Sequence, residues 1–354
     1  MQKQEIKVGN KVIGENHPCF VIVDAGVNHN NNPERAKELI HMAAMAGADA
    51  VKFQTYKAAT MTTKTAPRYW DPKLDTDSGG SQYDTFARLD DLPKEFYFEM
   101  RRLSDKLGIV FSSTPFNLDD VEFLSEVGMD FFKISSSDIT YHQLIRTVAK
   151  KKKPIILSTG AASIGEIEEA VRIIYSEGNE DIILQHCILS YPCNDEDANL
   201  FKMIKLQQIF PEIPVGYSDH TLGTIIPIVA VSMGARTIEK HYTVDKSLPD
   251  SPDHALSVDP SELKEMVTNI RRIEKSKGIF VNGYYKAEEK AYLYARKSIV
   301  AKVDIKKGTN ITEDMLICKR PGTGIYPKFM ELLVGRIAKI DIREDTIITL
   351  EMIK

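Results

Sequence analysis

Short apolar segments that end in polar residues recur along residues 20–242, and helix-like patterns separate them. Continuous apolar runs of this length are typical of parallel strands that are buried on both faces. The predicted strands are 20–23, 50–55, 109–114, 131–136, 154–160, 182–187, 215–220 and 237–242. Eight strand–helix units favour an α/β fold of the (β/α)8 TIM-barrel type. The alternative is a doubly wound open sheet, which is weakened because no Gly-x-Gly-x-x-Gly motif follows the first strand.

The segments between the strands carry helical patterns with recognisable end signals. Asn32 followed by Pro33 predicts the N-cap and the first position of a helix that runs to about residue 46. The other predicted helices are 93–107, 119–126, 142–150, 165–175, 198–208, 225–233 and 259–277. The pattern lapses over 58–92, which indicates either a lid or binding loop or a plain surface excursion.

The composition of the chain changes after residue 277. Residues 278–296 are mixed and charged and indicate a linker. Residues 297–354 predict a small β-rich module, with strands at 298–301 and 335–338 and a helical turn at 311–316. A core of this size is marginal alone, so we expect it to dock on the barrel or on a partner. The predicted domains are therefore 1–277 and 297–354, joined by the linker.

Charge and composition exclude several classes of function. A net charge of -4 and a pI near 6.1 argue against a general nucleic-acid binder. The apolar runs are all shorter than a membrane span, so no membrane association is expected. The four cysteines include no Cys-x-x-Cys pair, and the first ten residues are polar rather than signal-like. These features predict a cytoplasmic protein.

The C-terminal ends of barrel strands form the active face of this fold. Lys52 and Lys133 lie inside apolar strands, where a buried lysine needs an anionic partner. His220 and His241 end the last two strands, and two imidazoles with nearby carboxylates suit a divalent ion such as Mn, Co or Zn. Two lysines among small hydroxyls indicate a site for a small phosphorylated carboxylate. A Schiff base on one of the lysines remains an alternative.

Motifs at these strand ends resemble those of the sialic acid synthase family, and the match covers nearly the whole chain. The motifs are Val27-Asn28-His29-Asn30, Lys52-Phe53-Gln54, Ser113-Thr114-Pro115-Phe116, Lys133-Ile134, Leu157-Ser158-Thr159-Gly160, Gly216-Tyr217-Ser218-Asp219-His220, Glu239-Lys240-His241 and Lys319-Arg320-Pro321-Gly322. Ser-Asp-His followed by Glu-Lys-His at this spacing is specific, whereas Leu-Ser-Thr-Gly alone is weak. The resemblance implies a C-terminal antifreeze-like (SAF) domain. It also implies condensation of phosphoenolpyruvate with an N-acylated hexosamine to a nine-carbon 2-keto-3-deoxy acid, with release of phosphate.

The resemblance also implies roles for individual residues. His220 and His241 resemble the ligands of a divalent metal, Mn²⁺ with Mg²⁺ or Co²⁺ as alternatives, that polarises the sugar aldehyde. With these two, Asp24 and Glu239 are the predicted catalytic residues. The predicted phosphoenolpyruvate contacts are Lys52, Thr114, Lys133, Ser136, Ser158 and Ser218. The predicted sugar contacts are Gln54, Phe116, Tyr191, Asp253 and Arg320. The family arrangement further implies a domain-swapped homodimer in which Arg320 reaches the partner's site.

Two departures from the family pattern bear on the substrate. Asp24 stands where the family usually has a longer glutamate, and Leu189 stands where some members have an asparagine that contacts the acylamino group. The prediction is an N-acetylneuraminate synthase, with a legionaminate or pseudaminate synthase that uses a diacetylated dideoxyhexose as the alternative. Two readings from other classes remain open: a Schiff-base aldolase that uses Lys133 or Lys52, and a non-catalytic carbohydrate-binding protein on a decayed barrel.

Overall fold

The computed structural model describes residues 5–71, 73, 79–249 and 251–354. The chain divides into two compact units, Met1–Lys277 and Gly278–Lys354. The first carries the strands and helices of the barrel, and the second carries a small antiparallel sheet.

An antiparallel hairpin that the sequence did not predict opens the first unit. Its strands are β1 (Ile6–Val8) and β2 (Lys11–Ile13). The hairpin packs into one apolar cluster with residues at and near the beginnings of the barrel strands. The members of this cluster are Ile6, Val8, Ile13, Phe20, Ile22, Ala50, Val110, Phe131, Ile156 and Ile183. The hairpin therefore closes the N-terminal end of the barrel.

Eight parallel strands form the barrel, which confirms the predicted fold. They are β3 (Phe20–Gly26), β4 (Ala50–Thr55), β5 (Val110–Pro115), β6 (Phe132–Ile134), β7 (Ile155–Ser158), β8 (Ile182–Cys187), β9 (Val215–Asp219) and β10 (Thr237–His241). Hydrogen bonding runs in the order β5-β4-β3-β10-β9-β8-β7-β6. The first and last of these lie side by side, and Ser112 Oγ donates to the Phe131 carbonyl at 2.9 Å across that junction.

Helices surround the strands and bury their apolar faces against them. They are α1 (Pro33–Ala46), α2 (Ala58–Met61), α3 (Gln82–Ala87), α4 (Lys94–Leu107), α5 (Leu118–Val127), α6 (His142–Lys150), α7 (Ile164–Ser176), α8 (Leu200–Ile209), α9 (Ile225–Ser232), α10 (Asp253–Leu256) and α11 (Pro260–Ser276). The predicted start of α1 is correct, because Asn32 Oδ1 accepts from the amides of Glu34 and Arg35 at 3.0 and 3.2 Å. None of the helices in the described part of the chain combines the length and apolar character that a membrane span requires.

The segment 58–92 is more ordered than its sequence pattern indicates. It contains α2 and α3, and a capping box between Ser81 and Asp84 starts the second of them. Helices of four and six residues are too short to produce a helical periodicity. These two helices were therefore not predicted from the sequence.

The second unit is built around β11 (Ser298–Ala301) and β12 (Leu316–Lys319), which pair antiparallel. A helical turn at Glu313–Met315 matches the predicted one. The predicted strand at 335–338 was wrong, because only isolated bridges form there, from Ile337 to Asn310 and from Ala338 to Ile353. The segment predicted as a linker contains α12 (Glu289–Tyr294), and α13 (Met330–Leu333) follows later in the unit.

Candidate active site

Fourteen of the fifteen predicted site residues line one cavity, at the C-terminal ends of the barrel strands. The cavity has a volume of about 940 Å³, counting the part that is open to solvent. The fourteen are Asp24, Lys52, Gln54, Thr114, Phe116, Lys133, Ser136, Ser158, Tyr191, Ser218, His220, Glu239, His241 and Asp253. Arg320, the fifteenth, is exposed in the second unit.

Strand alternation explains why these residues face the cavity. Successive side chains of a strand point to opposite faces. The pairs Lys52 and Gln54, Ser218 and His220, and Glu239 and His241 are each two residues apart, so each pair shares a face.

Two lysines and two carboxylates form a charged cluster on the cavity floor. Lys52 Nζ lies 2.8 Å from Asp24 Oδ2 and 3.7 Å from Glu239 Oε1. Lys133 Nζ lies 2.9 Å from the same Glu239 oxygen. All four side chains are almost completely buried. The anionic partners that the two buried lysines require are therefore present.

The charges of this cluster shift the pKa values of its members. Burial opposes ionisation of Asp24, but Lys52 and His241 outweigh it and hold the pKa of Asp24 below its ordinary value. Burial likewise opposes the charged form of Lys52, yet Asp24 and Glu239 raise the pKa of Lys52. Asp24 Oδ1 and Glu239 Oε2 are buried and lack a hydrogen-bond partner among the described residues. Each carboxylate therefore keeps one oxygen that can accept a proton or a hydrogen bond.

The two histidines lie side by side, with ring centroids 5.3 Å apart. Tyr191 stacks on His220 at 4.1 Å between centroids. The Nδ1 atom of His220 lies 2.7 Å from the Ile188 carbonyl. Because a carbonyl only accepts, Nδ1 carries a proton, and Nε2 has a free lone pair in the neutral ring. Burial opposes the charged form of His220, but Cys187 and the Ile188 carbonyl outweigh it and raise the pKa of His220. His241 Nδ1 lies 3.5 Å from Asp253 Oδ2.

These histidines fit a divalent metal, with the remaining positions left to water or substrate. Burial lowers the pKa of His241, and Asp253 and Asp24 only partly offset this, so the ring is neutral at pH 7 and can act as a ligand. His241 Nδ1 is also a buried nitrogen with no hydrogen-bond partner in the described part of the chain. Within that part, His, Cys, Asp and Glu form no group of three or more suited to a metal.

Small polar groups border the charged cluster. Thr114 Oγ1 accepts from Lys52 Nζ at 3.1 Å, and Ser136 Oγ accepts from the Gly160 amide at 2.9 Å. A Cβ at Gly160 would lie only 2.9 Å from Ser136 Oγ. A side chain at Gly160 would therefore fill the space between the ends of β6 and β7. Ser158 Oγ is buried and has no partner in the ranges that the structure describes. These groups are available to an anionic ligand.

The segment 58–92 lines the cavity with an apolar wall, as expected of a binding loop, but the sequence did not identify the residues of this wall. Its members are Met61, Tyr69, Trp70, Phe86 and Leu89. The Tyr69 ring meets the Tyr191 ring edge to face, with centroids 5.9 Å apart, and so connects this wall to the residue that packs on His220. Leu189 also lines the cavity. Several aromatic residues occur in this segment although it has no helical or strand periodicity, and this feature could have indicated the wall.

Comparisons with known proteins agree with this geometry. The chain matches the model of the NeuB family over residues 39–282 and that of the SAF domain over residues 296–354. It is 39% identical over 350 residues to the N,N'-diacetyllegionaminic acid synthase of Legionella pneumophila, covering 98% of each chain. It is 33% identical over 342 residues to the human N-acetylneuraminate-9-phosphate synthase, covering 96% of this chain and 94% of that one. A crystal structure of the N-acetylneuraminic acid synthetase of Leptospira borgpetersenii, in complex with citrate, superposes with a TM-score of 0.72 at 37% identity. That match covers 81% of this chain and 95% of the other.

Proposed function

The chain belongs to the NeuB family, and we propose that it condenses phosphoenolpyruvate with an N-acylated mannosamine-type sugar. The product is a nine-carbon 2-keto-3-deoxy acid, and inorganic phosphate is released. The convergence of two buried lysines, two buried carboxylates and two histidines in one cavity carries this proposal. The relatives described above are synthases of acids of this type, which supports it.

Phosphoenolpyruvate binds at the charged cluster in this proposal. Lys52 and Lys133 hold its phosphate and carboxylate, because lysine is a strong donor to both groups. Four hydroxyls at neighbouring strand ends donate the remaining hydrogen bonds. They are those of Thr114, Ser136, Ser158 and Ser218.

The charge of the cavity implies that further cations complete the site. Two lysines stand against the carboxylates of Asp24, Glu239 and Asp253, which leaves one net negative charge. A multiply charged anion binds poorly to such a site. We propose that a divalent metal supplies part of the missing charge. Arg320 from the second subunit of a domain-swapped homodimer supplies the rest.

Mn²⁺ is the metal that we propose, with Mg²⁺ or Co²⁺ as alternatives, and His220 and His241 would hold it. When bound it supplies a Lewis acid that polarises the sugar aldehyde. Tyr191 and the Ile188 carbonyl hold the His220 ring in one orientation and one tautomer. Such partners are typical of ligating histidines.

The carboxylates handle protons in the proposed reaction. The enol carbon of phosphoenolpyruvate attacks the aldehyde carbon, and the aldehyde oxygen takes up a proton to become a hydroxyl. The resulting oxocarbenium carbon then adds water, and loss of phosphate leaves the ketone. We propose that Asp24 Oδ1 or Glu239 Oε2, the two buried oxygens without a partner among the described residues, accepts the proton of that water.

We further propose that the sugar is a diacetylated dideoxyhexose rather than N-acetylmannosamine. Leu189 and four members of the wall, Met61, Trp70, Phe86 and Leu89, offer mainly apolar contacts, and Tyr69 adds one hydroxyl. A methyl group in place of a hydroxyl suits such a surface because it leaves no buried polar atom unpaired, and the methyl of a second acetyl group adds apolar contact. The sequence left N-acetylmannosamine and the diacetylated dideoxyhexoses as candidate sugars, and this wall favours the diacetylated ones.

Phosphate release with phosphoenolpyruvate and a panel of sugars tests the proposal, with the product mass confirmed by mass spectrometry. The panel contains N-acetylmannosamine and the diacetylated dideoxyhexoses, each assayed in chelator and with Mn²⁺ restored. Leu189→Asn should shift the ratio of kcat/KM values toward N-acetylmannosamine by about 10-fold, whereas the control Leu189→Met should not. A far higher kcat/KM for N-acetylmannosamine than for every diacetylated sugar would refute the sugar assignment.

Borohydride trapping separates this reaction from that of a Schiff-base aldolase. The raised pKa of Lys52 keeps its amine protonated, which disfavours a Schiff base at that position. A stable adduct formed from pyruvate or an aldehyde at Lys52 or Lys133, without phosphate release, would overturn the synthase proposal.

A further inference from the structure

The two residues that immediately precede the cavity histidines form an ion pair inside the protein. Asp219 and Lys240 are directly opposite each other in the register of β9 and β10. Lys240 Nζ lies 2.6 Å from Asp219 Oδ2, and both side chains are completely buried. Their neighbours His220 and His241 line the cavity, so strand alternation turns the pair to the outer face of the barrel wall.

Thr221 joins this pair into a closed network. Asp219 Oδ1 accepts from the Thr221 amide at 3.1 Å and from its hydroxyl at 2.9 Å. Lys240 Nζ also donates to the Thr221 carbonyl. The residues on both sides of His220 are therefore tied to the residue before His241.

The surroundings of the pair make it unusual. Other outward-facing positions on the same two strands are apolar and belong to the main core, including Val215, Tyr217 and Ile238. Buried ion pairs are seldom more stabilising than well-packed apolar side chains of the same size. On the outward faces of these two strands, a buried ion pair therefore replaces apolar side chains at the positions next to the histidines. None of the three networked residues lines the cavity, so the proposed reaction makes no direct use of them.

We propose that Asp219 and Lys240 are positioning residues that fix the separation and orientation of His220 and His241. The pair acts across the two strand ends as a crosslink, so the two imidazoles are held in place before any ligand binds. The expected effect on metal binding rests on the proposed function. The expected effect on the geometry of the two imidazole rings does not depend on it.

Metal affinity gives the first test. Lys240→Met removes the crosslink, and the double variant Lys240→Met/Asp219→Asn removes it without leaving a buried charge unpaired. The asparagine introduced by the second substitution keeps an acceptor for Thr221, so the double variant should fold even if the single variant does not. We expect the dissociation constant for Mn²⁺, measured from the electron paramagnetic resonance signal of free Mn²⁺, to rise by about 10- to 100-fold in the double variant.

Arg271→Met is the matched control. Arg271 forms a partly buried ion pair with Asp49 at 2.7 Å, just before β4, at the opposite end of the barrel. Its loss should destabilise the protein and leave the Mn²⁺ dissociation constant within about twofold of the wild-type value, because the histidines do not move. A rise in the control equal to that in the double variant would mean that general destabilisation is the cause, and would overturn the proposal.

The imidazole signals of His220 and His241 in the metal-free protein give the second test. Nuclear magnetic resonance of histidine-labelled protein should show both signals shifted or broadened in the double variant and unchanged in Arg271→Met. Wild-type protein that leaves all Mn²⁺ free would refute the metal site, and the imidazole signals would then decide the positioning role alone. Unchanged imidazole signals in the double variant would overturn that role whatever the metal result.

Discussion

Lys52→Met should destabilise the metal-free protein more than Lys133→Met does, because the two lysines do not share the carboxylates of Asp24 and Glu239 equally. Lys52 pairs with Asp24 at 2.8 Å and lies 3.7 Å from Glu239, whereas Lys133 pairs with Glu239. Without Lys133, Glu239 still has Lys52 as a partner. Without Lys52, Asp24 loses its partner at 2.8 Å and keeps only His241, whose Nε2 lies 3.9 Å from Asp24 Oδ2.

The distances give the size of the difference. Removing one partner of a buried ion pair costs ~3–5 kcal/mol. At an effective dielectric constant near 20, a Lys52–Glu239 separation of 3.7 Å corresponds to an attraction of roughly 4 kcal/mol, which offsets part of that cost in Lys133→Met. We therefore expect a loss of about 5 kcal/mol for Lys52→Met and about 1 kcal/mol for Lys133→Met.

Urea unfolding of protein stripped of metal measures these losses. Trp70 is the only tryptophan of the chain and lies beside the cavity, so its fluorescence reports on the barrel unit. Lys52→Met/Asp24→Asn should recover much of the loss. Lys151→Met is the control, because the Lys151–Glu122 pair is on the surface, and it should cost less than ~1 kcal/mol. Equal losses for the two buried lysines, or the reverse order, at unchanged m-values would refute the reasoning.

Three further predictions concern other parts of the molecule. Burial raises the pKa of Asp138 to about 7 in the folded protein. Such a carboxyl makes the folded protein less stable as the pH rises from about 4 to about 7. Asp138→Asn should therefore stabilise the protein at pH 8 by up to ~4 kcal/mol and have little effect at pH 4, as thermal unfolding at the two pH values would show; a gain that does not depend on pH would contradict this. His220→Ala should abolish turnover while the circular dichroism spectrum stays native, and full turnover of stripped protein in chelator would disprove the metal requirement. A randomly reassorted mixture of Arg320→Ala and His241→Ala chains should regain roughly a quarter of wild-type activity, since half of the dimers are mixed and one of the two sites in each mixed dimer has neither defect. A mixture that stays inactive despite proven subunit exchange would exclude a role across the interface.

The barrel and most of the candidate site follow from the sequence for one physical reason. Parallel strands that are buried on both faces leave long apolar runs, and the polar residues that end those runs meet at one end of the barrel. Lys52, Lys133 and Glu239 stand out because charged residues are rare in such strands. Strand geometry then brings them together whatever the loops do.

What the sequence could not predict depends on irregular or very short elements. The hairpin strands are three residues long, and Ile6 and Val8 are separated by an exposed lysine, so no pattern extends far enough to be recognised. The positions of Tyr69 and Trp70 depend on a segment whose conformation has no period. The Asp219–Lys240 pair depends on the register of two strands, which neither strand specifies alone.

The hairpin at the N-terminal end of the barrel has a consequence for the order of folding. Its apolar partners extend along the chain from Phe20 to Ile183, so its contacts join residues that are far apart in sequence. Contacts of such separation form slowly, because a long stretch of chain must first lose its freedom. During synthesis the hairpin leaves the ribosome before the strands that it packs against. Its side chains Ile6, Val8 and Ile13 therefore stay incompletely packed until the strand that contains Ile183 has emerged, and a chaperone can bind them during that time.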